Sequence, residues 1–389
     1  MRLLIAGGGT GGHLFPGIAV AEEFLARDPD NQVLFVGTEH GIEGRLLPRL
    51  GFRHEFITAA GIRRKSRLSQ MKGLAMLLYG YSQSRKILRQ FRPQLVLGVG
   101  GYASGPVLMA ARGLQIRRFI HEQNAIPGFT NKFVSRFAEK IFISLDESRS
   151  FFPAEKIVLT GNPVRKEILA ETRRTEEGPR EKGTFNILVF GGSAGAHSIN
   201  MAVSAALPLL RGEREKLSIT HQTGEKDLSE VSSAYQAEQL QGKVVPFIED
   251  MAAAYRDADL VVCRAGATTI AEVTACGKPC IFIPYPHAVD DHQRLNAEAL
   301  LKQEAGFMLL ERELSGESLA QLILELMHDP RQLKMAGENA LRLARVEAAR
   351  AIVDEMMKDK EDRRKKTKIP PEQEKLHPAT EGSPECTEK

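Results

Sequence analysis

A strand, a glycine loop and a helix stand at the head of this chain, and the same pattern returns in its second half. Leu3-Leu4-Ile5-Ala6 runs into Gly7-Gly8-Gly9-Thr10-Gly11-Gly12-His13. Asn186-Ile187-Leu188-Val189-Phe190 runs into Gly191-Gly192-Ser193-Ala194-Gly195-Ala196-His197. Aligned, Gly7, Gly8, Gly11 and His13 fall on Gly191, Gly192, Gly195 and His197. Short continuous apolar runs fit buried strands. After the first loop, Ile18, Val20, Ala21, Phe24 and Leu25 supply the apolar side of a helix reaching Arg27. Strand, glycine turn and helix N-terminus together make an anion site from unpaired N–H groups and the helix dipole. Two copies predict two similar α/β domains facing each other.

The rest of the chain fits that plan. Strands are expected at 33–37, 95–101, 119–121, 140–143 and 157–160, then at 218–221, 243–245, 260–263 and 280–284. Strands alternating with helical stretches imply parallel sheets covered on both faces. The region 161–184 reads as the passage between domains, and helices follow at about 319–327 and 331–357. From about Lys358 the chain is mostly Lys, Glu, Pro, Ser and Thr, a composition that predicts disorder.

Composition excludes several classes. A net charge of +4 is too modest to call for a nucleic-acid partner. Cys263, Cys276, Cys280 and Cys386 contain no C-x-x-C pair, so neither a zinc site nor a redox motif is indicated, and a reducing compartment is expected. No secretory leader is expected, and no apolar run approaches the ~20 residues that span a bilayer. Gly7, Gly9 and Gly12 satisfy G-x-G-x-x-G, and Glu39 lies where a dinucleotide fold holds a ribose, which admits a nicotinamide oxidoreductase. That reading leaves the second glycine loop unexplained.

Two blocks in the second half carry more chemistry. Cys263-Arg264-Ala265-Gly266-Ala267-Thr268-Thr269-Ile270-Ala271-Glu272 follows a strand and opens a helix. Its small residues leave N–H groups for phosphate, and Glu272 lies about one turn in. Glu272 could serve a ribose or simply complement the helix dipole. Asp290-Asp291-His292-Gln293-Arg294-Leu295-Asn296 adds the carboxylates and amides that a sugar's hydroxyls need.

These blocks carry a family resemblance. The chain resembles the MurG-type transferases of glycosyltransferase family 28, over about residues 1–355. The matching stretches are Gly8 to His13 with Phe15-Pro16-Gly17, Gly100 to Pro106, His121-Glu122-Gln123-Asn124 with Thr130-Asn131-Lys132, and Gly161-Asn162-Pro163-Val164-Arg165. In the second half they are Gly191 to Ala196, Phe247 to Met251, Arg264 to Glu272, and Asp291-His292-Gln293 with Asn296. Thr268 to Ala271 and the charged tail depart from the family pattern.

The resemblance implies an α/β architecture of the GT-B type, two Rossmann-like parallel-sheet domains facing across a cleft. It implies an acceptor and membrane-facing domain at 1–163 and a UDP-GlcNAc-binding domain at 164–340. A C-terminal helix at 341–357 would pack back toward the first, ahead of a disordered tail at 358–389. The implied enzyme is an inverting N-acetylglucosaminyltransferase. It would move GlcNAc from UDP-GlcNAc to the C4 hydroxyl of undecaprenyl-pyrophosphoryl-MurNAc-pentapeptide, lipid I, and so form lipid II. Another lipid or small-molecule acceptor, or a non-catalytic nucleotide-sugar or lipid binder, are the alternatives. No metal or cofactor is implied.

By resemblance, the donor falls to Thr10, Gly11, Gly12 and Asn124 from the first domain. From the linker and second domain it falls to Arg165, Ser193, Ile248, Gly266, Ala267, Thr268, Glu272, Gln293 and Asn296. The acceptor falls to Gly8, Gly9, His13, Tyr102, His121 and Asn131. His13 could be the general base, a ligand of the acceptor's pyrophosphate, or a turn cap, and Glu122 is the rival base. Between Phe56 and His121 there is no Asp or Glu, while Arg63, Arg64, Lys65, Arg67, Lys72, Arg85, Lys86, Arg89 and Arg92 flank the apolar stretch from Met71 to Tyr81. Such a stretch suits either an anionic membrane surface, on the cytoplasmic face and peripheral, or a core-facing helix with a solvated basic side.

Overall fold

The computed structural model describes residues 1–39, 41–59, 67–172, 183–192 and 194–358, with side chains omitted over 67–75. The basic residues Arg63, Arg64 and Lys65, the side chains of Arg67 and Lys72, Ser193, and the tail expected to be disordered lie outside this description.

The first half holds strands β1 (Arg2–Ala6), β2 (Gln32–Gly37), β3 (His54–Phe56), β4 (Leu95–Gly98), β5 (Arg117–Glu122), β6 (Lys140–Ile143) and β7 (Ile157–Leu159). Its helices are α1 (Gly11–Ala26), α2 (Glu43–Arg49), α3 (Arg67–Phe91), α4 (Ser104–Gly113) and α5 (Phe129–Val134). A short helix, α6 (Lys166–Thr172), lies within the expected interdomain passage. The second half holds β8 (Phe185–Phe190), β9 (Leu217–Gln222), β10 (Gln241–Val245), β11 (Leu260–Cys263), β12 (Cys280–Phe282) and β13 (Phe307–Met308). Between and after them come α7 (His197–Leu210), α8 (Leu228–Glu238), α9 (Met251–Asp257), α10 (Ala267–Ala275), α11 (His292–Leu301), α12 (Gly316–His328), α13 (Pro330–Leu343) and α14 (Ala348–Met357).

Each half is one parallel sheet. The orders are β3-β2-β1-β4-β5-β6-β7 and β10-β9-β8-β11-β12-β13. Strand order reverses between β1 and β4 and between β8 and β11. Loops at such switch points splay to opposite faces and leave a crevice at the strands' C-terminal ends. Leu3–Ala6 of β1 and all of β4 are fully buried because helices cover both faces, which is why they read as unbroken apolar runs.

The stretch 331–357 is not one helix. α13 stops at Ala344, whose backbone is extended (φ −60, ψ 136), and α14 starts again at Ala348. In the gap the chain crosses from the second domain to the first. There Ile352, Val353 and Met356 join the core of α1, β1 and β2, and Arg27 bonds Asp354 at 2.7 Å. The two crossings touch. Gly161 has φ +86, and a Cβ on it would sit 2.5 Å from the Cβ of Arg345. Glycine is required at that point by both conformation and space.

Candidate active site

Four loops at the two switch points open onto one cleft of about 2650 Å³. A single small ligand needs roughly 300–1,000 Å³, so two substrates fit. The loops lead into α1, α4, α7 and α10. None of these helices has a side-chain N-cap bond or an acidic residue in its first turn. Elsewhere Ser315 and Asp329 cap α12 and α13 in the ordinary way. A helix start without its own acceptor keeps N–H groups and a positive dipole end for an outside anion. Each domain presents two such ends.

The first glycine loop is tied down by a residue that sequence reasoning missed. Glu43 is buried and its carboxylate accepts from Gly9 N at 2.7 Å, Thr38 N at 2.9 Å and Thr38 Oγ1 at 3.1 Å. Gly8 has φ +138, and a Cβ there would lie 2.4 Å from the Glu43 carboxyl carbon. The Gly9 N–H is therefore committed, and the anion-facing donors are those at the start of α1. The acid at the end of β2 that mimicked a ribose ligand, Glu39, is exposed instead.

His13 lines the cleft on α1, half-buried, with Nδ1 3.0 Å from Gln123 Oε1. Burial lowers its pKa below 6.5, and the Gln123 bond works against that. Glu122 is saturated. It accepts from Asn131 Nδ2 at 2.8 Å, Asn124 N at 3.1 Å, Gly128 N at 3.3 Å and Asn124 Nδ2 at 3.4 Å. Burial pushes its carboxyl up while those bonds pull it down. Its role in the structure is to shape the loop over 123–131. Asn131 faces the cleft with a buried Oδ1 that has no partner. Tyr102 is exposed on the cleft wall, whereas His121 is buried behind it.

On the facing wall, Gly266, Ala267 and Thr268 open α10, and Thr268 Oγ1 donates to the Gly12 carbonyl across the cleft at 3.2 Å. The expected donor residues are placed there with some differences. Ile248 is buried and is not among the residues lining the cleft, and its N–H donates to Gln222 Oε1 at 2.8 Å. Neighbouring Phe247 is exposed on the cleft wall. Glu272 is buried, with Oε1 held by Arg165 Nε and a second guanidinium nitrogen at 3.0 and 2.9 Å and Oε2 by Tyr255 Oη at 3.1 Å. Burial raises its pKa and Arg165 opposes the rise. Arg165 also lies 4.8 Å over the ring of Phe15, which comes from the other domain. Gln293 lines the cleft and accepts the Tyr285 N–H through Oε1.

Asn296 is placed otherwise than expected. It is fully buried, Oδ1 accepts from Ala125 N at 2.8 Å, and Nδ2 donates to Asn124 Oδ1 and Ala265 O, both at 3.2 Å. In this arrangement it bolts the two domains together and presents no group to a sugar.

Comparison with known proteins follows the same division of the chain. Residues 3–143 match the glycosyltransferase family 28 N-terminal domain and residues 186–356 the glycosyltransferase family 28 C-terminal domain. A Geobacter sulfurreducens protein is 67% identical over 92% of this chain and 98% of its own length. The chain belongs to glycosyltransferase family 28. That relative is named UDP-N-acetylglucosamine–N-acetylmuramyl-(pentapeptide) pyrophosphoryl-undecaprenol N-acetylglucosamine transferase, and so is one from Geotalea uraniireducens at 66% identity. The crystal structure of Acinetobacter baumannii MurG superposes with a TM-score of 0.74 at 34% identity, covering 92% of this chain and 99% of that one. Family 28 membership and the two parallel sheets make this a GT-B transferase and remove the oxidoreductase alternative.

Proposed function

We propose that this chain transfers GlcNAc from UDP-GlcNAc to the C4 hydroxyl of lipid I, with inversion at C1, and so makes lipid II. The observation that carries the reading is the pair of uncapped helix ends in each domain on one cleft, with His13 beside them. The reaction has two diphosphates to hold, one on each substrate.

The second domain takes the donor. The starts of α7 and α10 meet its diphosphate, and the Phe247 ring, beside Ile248, meets uracil. A carboxylate has about four lone-pair sites. Arg165 and Tyr255 occupy three on Glu272, which leaves one for a ribose hydroxyl. Gln293 keeps its amide N–H groups for GlcNAc. The first domain takes the acceptor, with the starts of α1 and α4 at its pyrophosphate and the unpartnered Asn131 Oδ1 for a donor group on the sugar or peptide. In the reaction His13 removes the C4 hydroxyl proton while that oxygen bonds to C1 of GlcNAc. The C1–O bond to UDP breaks, and charge gathers on the leaving phosphate where the helix ends of α7 and α10 are already aimed.

The chain works at the cytoplasmic face of the membrane as a peripheral protein. No helix among the described residues is long and apolar enough to cross a bilayer. Leu78, Tyr79, Phe129 and Phe133 are exposed near the cleft mouth of the first domain. Arg136 lies 4.7 Å over the Phe133 ring, and Lys132, on the same helix as Phe129 and Phe133, lies 4.3 Å over the exposed ring of Phe151. Aromatic and basic groups side by side suit the headgroup region of an anionic bilayer. Flotation with anionic and with neutral vesicles tests this, and negligible binding to both would refute it.

The decisive assay is UDP release from UDP-GlcNAc with and without a lipid I analogue. Release that needs the analogue is expected. Tight UDP-GlcNAc binding with no release under either condition would show a binder instead.

A further inference from the structure

We propose that Gln123 is a positioning residue that sets the tautomer of His13, so that the imidazole presents a bare Nε2 to the acceptor hydroxyl. The inference rests on His13 as the general base, and it deepens that reading.

One group beside the Gln123 amide can only accept. The Val99 carbonyl lies 2.9 Å from the Gln123 side chain. A carbonyl oxygen has no proton to give, so the atom facing it is the amide nitrogen, Nε2. That settles which way the amide points, and Oε1 must face His13. An amide oxygen also only accepts, so the proton in the 3.0 Å contact belongs to His13 Nδ1. Neutral imidazole carries one ring proton. With Nδ1 protonated, Nε2 holds a lone pair on the side of the ring away from Gln123, and His13 lines the cleft.

The second proton of the amide extends the chain. Gln123 Nε2 lies 3.0 Å from His121 Nδ1, which must accept. His121 then carries its proton on Nε2, 3.2 Å from both the Gly161 carbonyl and Ser144 Oγ. His121 is buried and Gln123 is buried, so water cannot easily exchange for either partner. The polarity is consistent from end to end. Gly161 O accepts from His121, His121 accepts from Gln123, and Gln123 accepts from His13. When His13 takes a proton on Nε2, the Nδ1–H bond to Gln123 becomes charge-assisted and strengthens.

The titratable groups around His13 are Glu43 behind the glycine loop, His292 from across the cleft, and His121 beyond Gln123. None of them bonds Nδ1; the ring's hydrogen-bond partners are Gln123 Oε1 and the Val99 carbonyl, both acceptors, and Val99 is the same carbonyl that orients the Gln123 amide.

The test combines a spectrum with two variants of the full chain. The nitrogen-15 spectrum of histidine-labelled enzyme, with His13 signals assigned by their loss in His13→Ala, should show Nδ1 protonated and Nε2 bare. A proton on Nε2 overturns the proposal whatever the enzyme's activity. Gln123→Met keeps the shape and removes all three side-chain bonds, to His13, Val99 and His121. It should lower kcat about 10- to 100-fold, part of the ~10²–10⁴ that a positioned base supplies, with the UDP-GlcNAc KM little changed. Gln123→Glu still accepts from Nδ1 but sets an oxygen against the Val99 carbonyl, so it should recover part of that loss, while its negative charge moves the acid limb of the pH profile upward. Equal losses in both variants with an unmoved acid limb would mark Gln123 as packing only. Near-normal turnover by His13→Ala would remove the base itself, and the spectrum would still report the tautomer separately.

Discussion

The pairing of Arg165 with Glu272 yields the sharpest quantitative expectation. Glu272 has a side chain 5% exposed, and Arg165 is its sole cationic partner in the contacts described above. Replacing Arg165 with methionine keeps much of the packing and strands the carboxylate. Breaking a buried pair in this way costs ~3–5 kcal/mol. The loss has a ceiling, because the carboxyl can escape by binding a proton. From an ordinary value of 4.5, protonation at neutral pH costs about 3.4 kcal/mol. Loss of the contact with Phe15 adds ~0.5–1 kcal/mol. Arg165→Met should therefore destabilise the protein by about 3.5–4.5 kcal/mol.

Adding Glu272→Gln removes the stranded charge and keeps a partner for Tyr255. The double variant should regain about 2 kcal/mol over Arg165→Met alone, a coupling well beyond the ~0.5 kcal/mol scatter of independent sites. The pH dependence has a definite sign. In Arg165→Met the folded-state pKa of Glu272 rises further above the unfolded value. The penalty is absent below that unfolded value and grows as pH rises toward the folded one. Urea unfolding at about pH 5 and about pH 8 measures both effects through the midpoint at constant slope. A double variant no more stable than Arg165→Met, or a deficit that shrinks as pH rises, would refute the reasoning.

Four further outcomes are expected. His13→Ala should lower kcat by ~10²–10⁴ while UDP binding, by calorimetry, holds. In the unaltered enzyme, kcat/KM should be lost only as pH falls through the lowered His13 pKa, below 6.5. Glu43→Gln places an amide against N–H donors, and should cost about 1–3 kcal/mol and raise the acceptor KM with donor KM unchanged. Gly161→Ala should lose about 1–2 kcal/mol from the backbone alone, with more from the contact at Arg345, as read by thermal unfolding.

Much of the scaffold was legible in the chain itself. Strands such as 3–6, 95–98 and 260–263 are buried on both faces, so they show as apolar runs with glycine at or near their ends. β3 and β13 escaped notice because they are three and two residues long at sheet edges, too short to carry a period. The residue pattern by itself does not show the break at Ala344, because both helices it separates are amphipathic and nothing local says that their apolar sides face different domains; a separate helix at 341–357 is implied only by the family resemblance. At the site, the small residues opening α1 and α10 announce themselves, since an uncapped helix start is a local property.

Other site features depend on residues far apart in sequence. Glu43 reaches the glycine loop across more than thirty positions. Asn296 bolts onto Asn124 and Ala125 from the other domain. Arg165 leaves the linker to neutralise Glu272. By itself the sequence determined that there are two phosphate-binding α/β halves, because strand burial and helix-end chemistry are written in adjacent residues. Only the tertiary structure decided which donors and acceptors stay free for substrate, because each is consumed or spared by a partner brought from elsewhere in the fold. The tautomer of His13 is the clearest case: it is settled by a chain of single-direction hydrogen bonds that ends on main-chain carbonyls.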